Sequence, residues 1–220
     1  MATKEVSVQI KAPKFEVVEL VLEGTAPLVV ARFSKKGELM AKMSEGSTAK
    51  SKKVREARDY DAEADQARYY NSDKSWQGVH AGAFRAASIS ACRLVGFKMT
   101  LAKLSIFILQ DDFDLEGKTP LVRVYGESET DTSHVRNATG VVDVRSRAMY
   151  KKWATKLRVR YDADQFTAQD VYNLIARVGV QVGICEGRPD SKSSAGCGWG
   201  TFRIVPDEEQ SVVKAQFGIA

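Results

Sequence analysis

Between Trp153 and Tyr161 the chain alternates. Trp153, Thr155, Leu157, Val159 and Tyr161 fall on one side, and Ala154, Lys156, Arg158 and Arg160 on the other. This is the period of a half-buried strand with an apolar and a cationic face. Thr167 then stands as a helix N-cap with Asp170 three residues on. Val171, Leu174, Ile175 and Val178 follow at helical spacing until Gly179, which predicts a short amphipathic helix lying back on the strand. A loop rich in Gly and Ser begins at Gly183, and Thr201 to Val205 reads as a returning strand.

The rest of the chain supplies the other half of such a unit. FEVVELVLE, residues 15–23, is a strand with Val18, Leu20 and Leu22 on one face, and a second apolar run spans Leu28 to Val30. Gly78 to Val95 reads as a helix with Phe84, Ala87, Ala91 and Leu94 on one side, and LSIFIL, Leu104 to Leu109, as a central strand. Residues 32–77 and 110–152 are long excursions, the second with a weak strand at Leu121 to Tyr125, and residues 206–220 form a tail. Collapsing the excursions leaves strand, helix, strand, strand, helix, strand. The expectation is one α+β domain over residues 1–220 with a ferredoxin-like βαββαβ core, helices on one sheet face and the other face open.

Charge sharpens that picture. The net charge is +5, with a pI near 9.0. From Ser133 to Arg160 the cations are Arg136, Arg145, Arg147, Lys151, Lys152, Lys156, Arg158 and Arg160, and eight cations less one anion, Asp143, give +7. A concentration of that kind is the footprint of a polyanion partner. A second basic run, Lys50, Lys52, Lys53, Arg55 and Arg58, is followed by the acidic run Asp59, Asp61, Glu63 and Asp65. Too few apolar residues accompany it for a core helix, so it reads as an exposed insertion or an arm that orders on a partner. Apolar content of 44% with 28% charged residues is that of a globular chain.

The residues resemble a known superfamily. SWQGVHAGAFRAA leading into the first helix, the VGVQVGICEGRP…GWGTF ending, the element order and the two excursions are similar to the RAMP superfamily, and in particular to the repeat-forming backbone subunit of CRISPR surveillance complexes. The resemblance spans roughly Val17 to Val205. It implies an RRM-like core, a finger-like arm at 32–77, a thumb-like excursion at 110–152, and subunits stacked helically along one RNA. It also implies that Arg85 matches an arginine of the family's first helix, and that Gly183, Gly187, Arg188 and Gly200 match its glycine-rich loop. Two departures stand out: Trp76-Gln77-Gly78 replaces a proline-rich lead, and EGRPDSKSSAGCGWG replaces a compact glycine run.

Catalytic signatures are sparse. His80 and His134 each lack a neighbouring Ser or Cys with an orienting carboxylate, although relatives that cut RNA with a histidine make His134 the residue to name. The glycine-rich loop matches neither GxxxxGK[ST] nor GxGxxG, and its glycines suit close approach to a phosphate chain or tight packing against the helix. Asp111, Asp112 and Asp114 read as a solvated turn in preference to an ion site. Cys92 reads as a core thiol, and Cys185 and Cys197 have no zinc spacing. No cofactor or metal is expected. The N-terminus lacks the apolar run of a signal peptide, which reads as cytoplasmic and makes the Asn137 sequon accidental, and no run reaches membrane-spanning length.

The expectation is therefore a non-enzymatic protein that binds single-stranded nucleic acid, RNA first, without sequence preference. It would assemble side by side into an open filament, with other effector-complex subunits as possible partners. The residues expected to contact the strand are Lys50, Lys52, Lys53, Arg55, Arg58, Trp76, Arg85, Arg136, Arg145, Arg147, Lys151, Lys156, Arg158, Arg160 and Arg188, with Tyr150 and Trp153 as further stacking candidates and Trp153 the better fit to a core. The apolar tail, Phe217 to Ile219, would strengthen the contact between subunits or simply cover the chain's own core. A metal-independent endoribonuclease using His134 or His80, and a structural protein of a virus-like assembly, are the alternatives.

Overall fold

The computed structural model describes residues 10–32, 59–136, 142–191 and 196–220. The basic run Lys50 to Arg58 and the Asn137 sequon lie outside the described residues, as do the side chains of Val135, Arg136 and Asp143.

The architecture is mixed α+β. In chain order the elements are β1 (Phe15–Gly24), β2 (Leu28–Val30), α1 (Tyr60–Gln66), β3 (Tyr69–Tyr70), β4 (Gln77–His80), α2 (Ala81–Ala91) with a 3-10 turn (Cys92–Val95), α3 (Met99–Ser105), β5 (Ile106–Leu109), β6 (Asp112–Phe113), β7 (Pro120–Arg123), β8 (Ser128–Arg136), β9 (Val142–Tyr150), β10 (Ala154–Asp162), α4 (Ala168–Arg177) with a π-helical turn (Val178–Val182), β11 (Phe202–Ile204) and α5 (Asp207–Phe217). Three antiparallel sheets result, with orders β11-β1-β10-β5, β2-β9-β8 and β3-β4-β7-β6.

The alternating strand is β10, paired along its length with β1, so that Leu157 lies opposite Leu20 and Val159 opposite Val18. Residues directly opposite in an antiparallel pair share a face. One face of the first sheet therefore carries Leu20, Leu22, Leu157, Val159, Ile106 and Phe202. These are buried with Phe84 of α2 and Val171, Leu174 and Ile175 of α4. The Thr167 hydroxyl accepts from the Asp170 N–H at 3.1 Å while the Asp170 carboxylate accepts from the Thr167 N–H at 2.9 Å, closing the capping box that starts α4. Trp153 is 1% exposed and donates its indole N–H to the Ala26 carbonyl, which confirms its place in the core.

Several boundaries differ from the sequence pattern. The helix expected from Gly78 begins at Ala81, because Gln77–His80 pairs with β7; a Cβ on Gly78 would stand 2.5 Å from the Val122 carbonyl oxygen. Leu104 and Ser105 belong to α3, leaving Leu104 70% exposed, and the short strand that follows is an edge, not a centre. Gly179 does not end the fourth helix. It sits inside the π-helical turn where a Cβ would be 2.2 Å from the Phe202 carbonyl oxygen, and the left-handed Gly183, at φ +68°, is the terminator. The second excursion is built of four strands, its core a nine-rung hairpin of β8 and β9.

The sheet face expected to be open is half covered. Helix α5 lays Val213, with Phe217 and Ile219, onto Val21, Ala154 and Val205. Phe217 and Ile219 thus pack on this chain's own sheet. Burying Val213 and Ile219, which are 4% and 7% exposed, stabilises the docked tail by about 1.5–3 kcal/mol each.

Candidate nucleic-acid interface

The uncovered half of that face starts from the register of β1, β10 and β5. Phe15 and Val17 of β1, Arg158 and Arg160 of β10, and Phe107 and Leu109 of β5 all project to this side. Phe15 and Val17 are 41% and 55% exposed. The rings of Phe15 and Phe107 meet edge-on with centroids 5.8 Å apart, and the Arg160 guanidinium lies over both, at 5.1 Å and 5.0 Å. Arg85 reaches the same ring of Phe107 from α2, at 5.2 Å, while its Nε donates to the Ile106 carbonyl at 3.0 Å and its guanidinium also donates to the Lys103 carbonyl. Arg85 is therefore a strut for the α3–β5 turn as well as part of this cluster. Arg160 makes no hydrogen bond or ion pair with any described residue, so its donors are free for an anion.

The other cations of the basic segment are mostly engaged. Arg158 donates to the Gln110 carbonyl at 2.7 Å and to Asp111 at 3.1 Å. Lys156 donates to the Ala220 carbonyl oxygen at 3.0 Å, and Lys151 pairs with Glu129 at 2.6 Å. Arg145 also has an interaction partner. Arg147 is 4% exposed, donates to Asp131 at 3.0 Å and to the Ser133 hydroxyl, stands 3.8 Å from Glu186, and lies over the Trp199 ring at 5.7 Å. Lys156 and Arg158 thus have acceptors within this chain while staying partly exposed. Carboxylates outside the 133–160 window, Asp111, Glu129, Asp131 and Glu186, offset its charge.

The glycine-rich loop uses its glycines on itself. A Cβ on Gly187 would stand 2.5 Å from the Trp199 ring, and one on Gly200 2.0 Å from the Ile184 carbonyl oxygen. Of the two roles expected for them, tight packing is the one the geometry displays. Arg188 donates to the Cys185 carbonyl at 2.8 Å. Asp190 accepts from Arg93 at 2.8 and 2.9 Å and from the Ser90 hydroxyl. The Ser90 hydrogen bond, followed by Arg93, holds the Asp190 carboxyl below the usual carboxylate range. Between this loop and α2 lies a cleft of about 440 Å³ that Arg93, Lys103 and Arg188 border.

The residues named for chemistry are placed otherwise. His80 is exposed at the start of α2, its ring beside Gly82, and His134 is exposed on β8 opposite Val144. Burial, followed by the neighbouring Glu186, pushes the Cys185 thiol up to about 12. The three aspartates after β5 organise turns. Asp114 is buried, and although burial opposes ionisation, the backbone N–H groups of Thr119 and Lys118 and the Arg32 guanidinium hold its carboxyl low. The reading of a solvated turn is corrected for this residue.

Of the stacking candidates, Tyr150 is buried with its hydroxyl donating to Gln77 at 2.6 Å, and only Trp76 is half-buried. Sequence reasoning missed Phe15, Phe107 and Arg123. The available signal was the run FEVV at 15–18, where Phe15 and Val17 put apolar residues on the face opposite Val18. Comparison with protein-family models and with curated proteins gives no match to this chain.

Proposed function

We propose that the protein binds single-stranded nucleic acid, RNA before DNA, across the uncovered half of the β11-β1-β10-β5 sheet. The observation that carries this reading is Arg160, held by the faces of Phe15 and Phe107 and without an acceptor among the described residues. A guanidinium stacked in this way keeps its N–H edge for a phosphate, while exposed aromatic rings accept a base in a sequence-tolerant manner. Bases splayed on a sheet with 2′-hydroxyls beside them are the usual mode for RNA.

A ferredoxin-like core is the framework for this proposal. It is supported by the order of β11, β1, β10 and β5, which is fourth, first, third, second along the chain, with α2 and α4 as the two connecting helices. On this reading the RAMP-like assembly of subunits along a strand rests on the segment before Asp59, together with the strand shared between neighbours.

Fluorescence anisotropy of labelled RNA and DNA strands, titrated at several salt concentrations, tests the proposal. Phe107→Ala lowers affinity about tenfold, as expected for one lost stacking contact. Arg160→Ala lowers the log–log salt slope by about 0.7, as expected for one phosphate contact on a single strand. Binding that ignores both substitutions, or no salt-dependent binding by the unaltered protein, rejects it.

A further inference from the structure

A second arginine shares the condition of Arg160. The guanidinium of Arg123, at the end of β7, lies over the Tyr125 ring at 4.5 Å and near the Trp76 ring at 5.9 Å. Among the described residues it has no hydrogen-bond acceptor and no carboxylate partner; only its backbone groups are engaged, the N–H with Asp111 at 2.9 Å and the carbonyl with Thr155 at 2.7 Å. A cleft of about 540 Å³ opens here between the β7–β8 connection and Phe217 of α5, with Trp76, Arg123, Tyr125 and Glu127 on its walls. Glu127 is exposed and makes no hydrogen bond or ion pair with a described residue.

The chemistry of this wall is specific. Two aromatic faces hold the guanidinium plane, so its in-plane N–H fork is presented to whatever enters. Arginine reads the paired O6 and N7 acceptors of guanine, whereas a carboxylate accepts from amino and imino donors. Guanine alone carries two adjacent acceptors on one edge and two adjacent donors, N1–H and the N2 amino group, on another. Adenine sets a donor beside N7, and the pyrimidines lack the acceptor pair in that arrangement. A chain of hydrogen bonds links the strand that carries Arg123 to the sheet face. Asp111 joins the Arg123 backbone to Arg158, which stands two residues before Arg160 on the same side of β10.

We infer that the Trp76–Arg123–Tyr125–Glu127 cleft receives one base of the bound strand, guanine by preference, adding a single selective position to an otherwise sequence-tolerant track. The inference rests on the single-strand reading above for its polymer but not for its pocket. Trp76 supplies the readout, since a base stacked in the cleft quenches its fluorescence. Titration with GMP, AMP, CMP and UMP, and of strands with and without one guanine, is the experiment, with Trp76→Phe to assign the signal. GMP quenches at concentrations at least about fivefold below the other three, and Glu127→Gln and Arg123→Met each remove that margin. Equal quenching by all four nucleotides, or none while labelled strands still bind through Phe107, overturns the guanine cleft and leaves the sheet proposal standing. Selective quenching by GMP without strand binding supports the cleft and rejects the polymer reading instead.

Discussion

Asp111 accepts a hydrogen bond from the Arg158 guanidinium at 3.1 Å and thereby withdraws one of the central charges of the sheet. The pair is partly exposed, so the two groups stabilise each other only weakly, and the carboxylate also repels any phosphate approaching Arg160.

Asp111→Asn therefore tightens binding of a single strand by severalfold and steepens its salt dependence, because Arg158 becomes available as a further phosphate contact. Anisotropy titrations of the variant beside the unaltered protein check this. Unchanged affinity in the variant places the strand elsewhere on the molecule.

Two glycines of the same loop separate steric from conformational cost. Gly200 and Gly198 both have positive φ, +67° and +74°, but a Cβ on Gly200 meets the Ile184 carbonyl oxygen at 2.0 Å whereas one on Gly198 meets no described residue within 4 Å. Gly198→Ala costs about 1 kcal/mol, the left-handed penalty alone. Gly200→Ala adds a backbone displacement and costs well above that. Chemical denaturation of both variants gives the comparison, and equal losses show that Ile184 yields freely.

Acid sensitivity follows from depressed carboxylates. The Thr167 hydroxyl holds Asp170 below its ordinary value, and Ser90 with Arg93 does the same for Asp190. A carboxyl whose folded value lies below its unfolded one contributes stability that is present above the unfolded value, near 3.9, and is lost as pH falls through the folded value. Midpoints of thermal unfolding hold steady from neutrality to about pH 5 and then decline. Thr167→Ala costs about 1 kcal/mol at neutral pH and shrinks the part of that decline that Asp170 supplies. A decline as steep in Thr167→Ala as in the unaltered protein assigns it to other carboxylates.

Local signals were legible and long-range ones were not. The alternation of Trp153 to Tyr161 and the Thr167–Asp170 box are written within a few residues, and both stand where the pattern puts them. Ala81 as the true start of α2 depends on Gln77–His80 finding β7, more than forty residues on, and no window over Gly78 to Val95 contains that partner. The charge count over 133–160 was incomplete for the same reason. Its neutralising partners, Asp111, Glu129, Asp131 and Glu186, lie outside the counted window and arrive only through the fold. Arg123 and Arg160 carry the functional argument because the fold gives them aromatic faces instead of carboxylates, a distinction that residue type alone does not encode.

Arg147 gives the β8–β9 hairpin a mechanical character. Its pair with Asp131 ties the two strands of the hairpin together, while its approach to Glu186, with Gln77 accepting from Ser128 at 2.9 Å and from Tyr150 at the base, holds the first rungs to the body. The hairpin is then a beam with one built-in end. A force on its far rungs becomes a bending moment about Arg147, and the loop bearing Glu186 and Trp199 shares the reaction with β4 through Gln77.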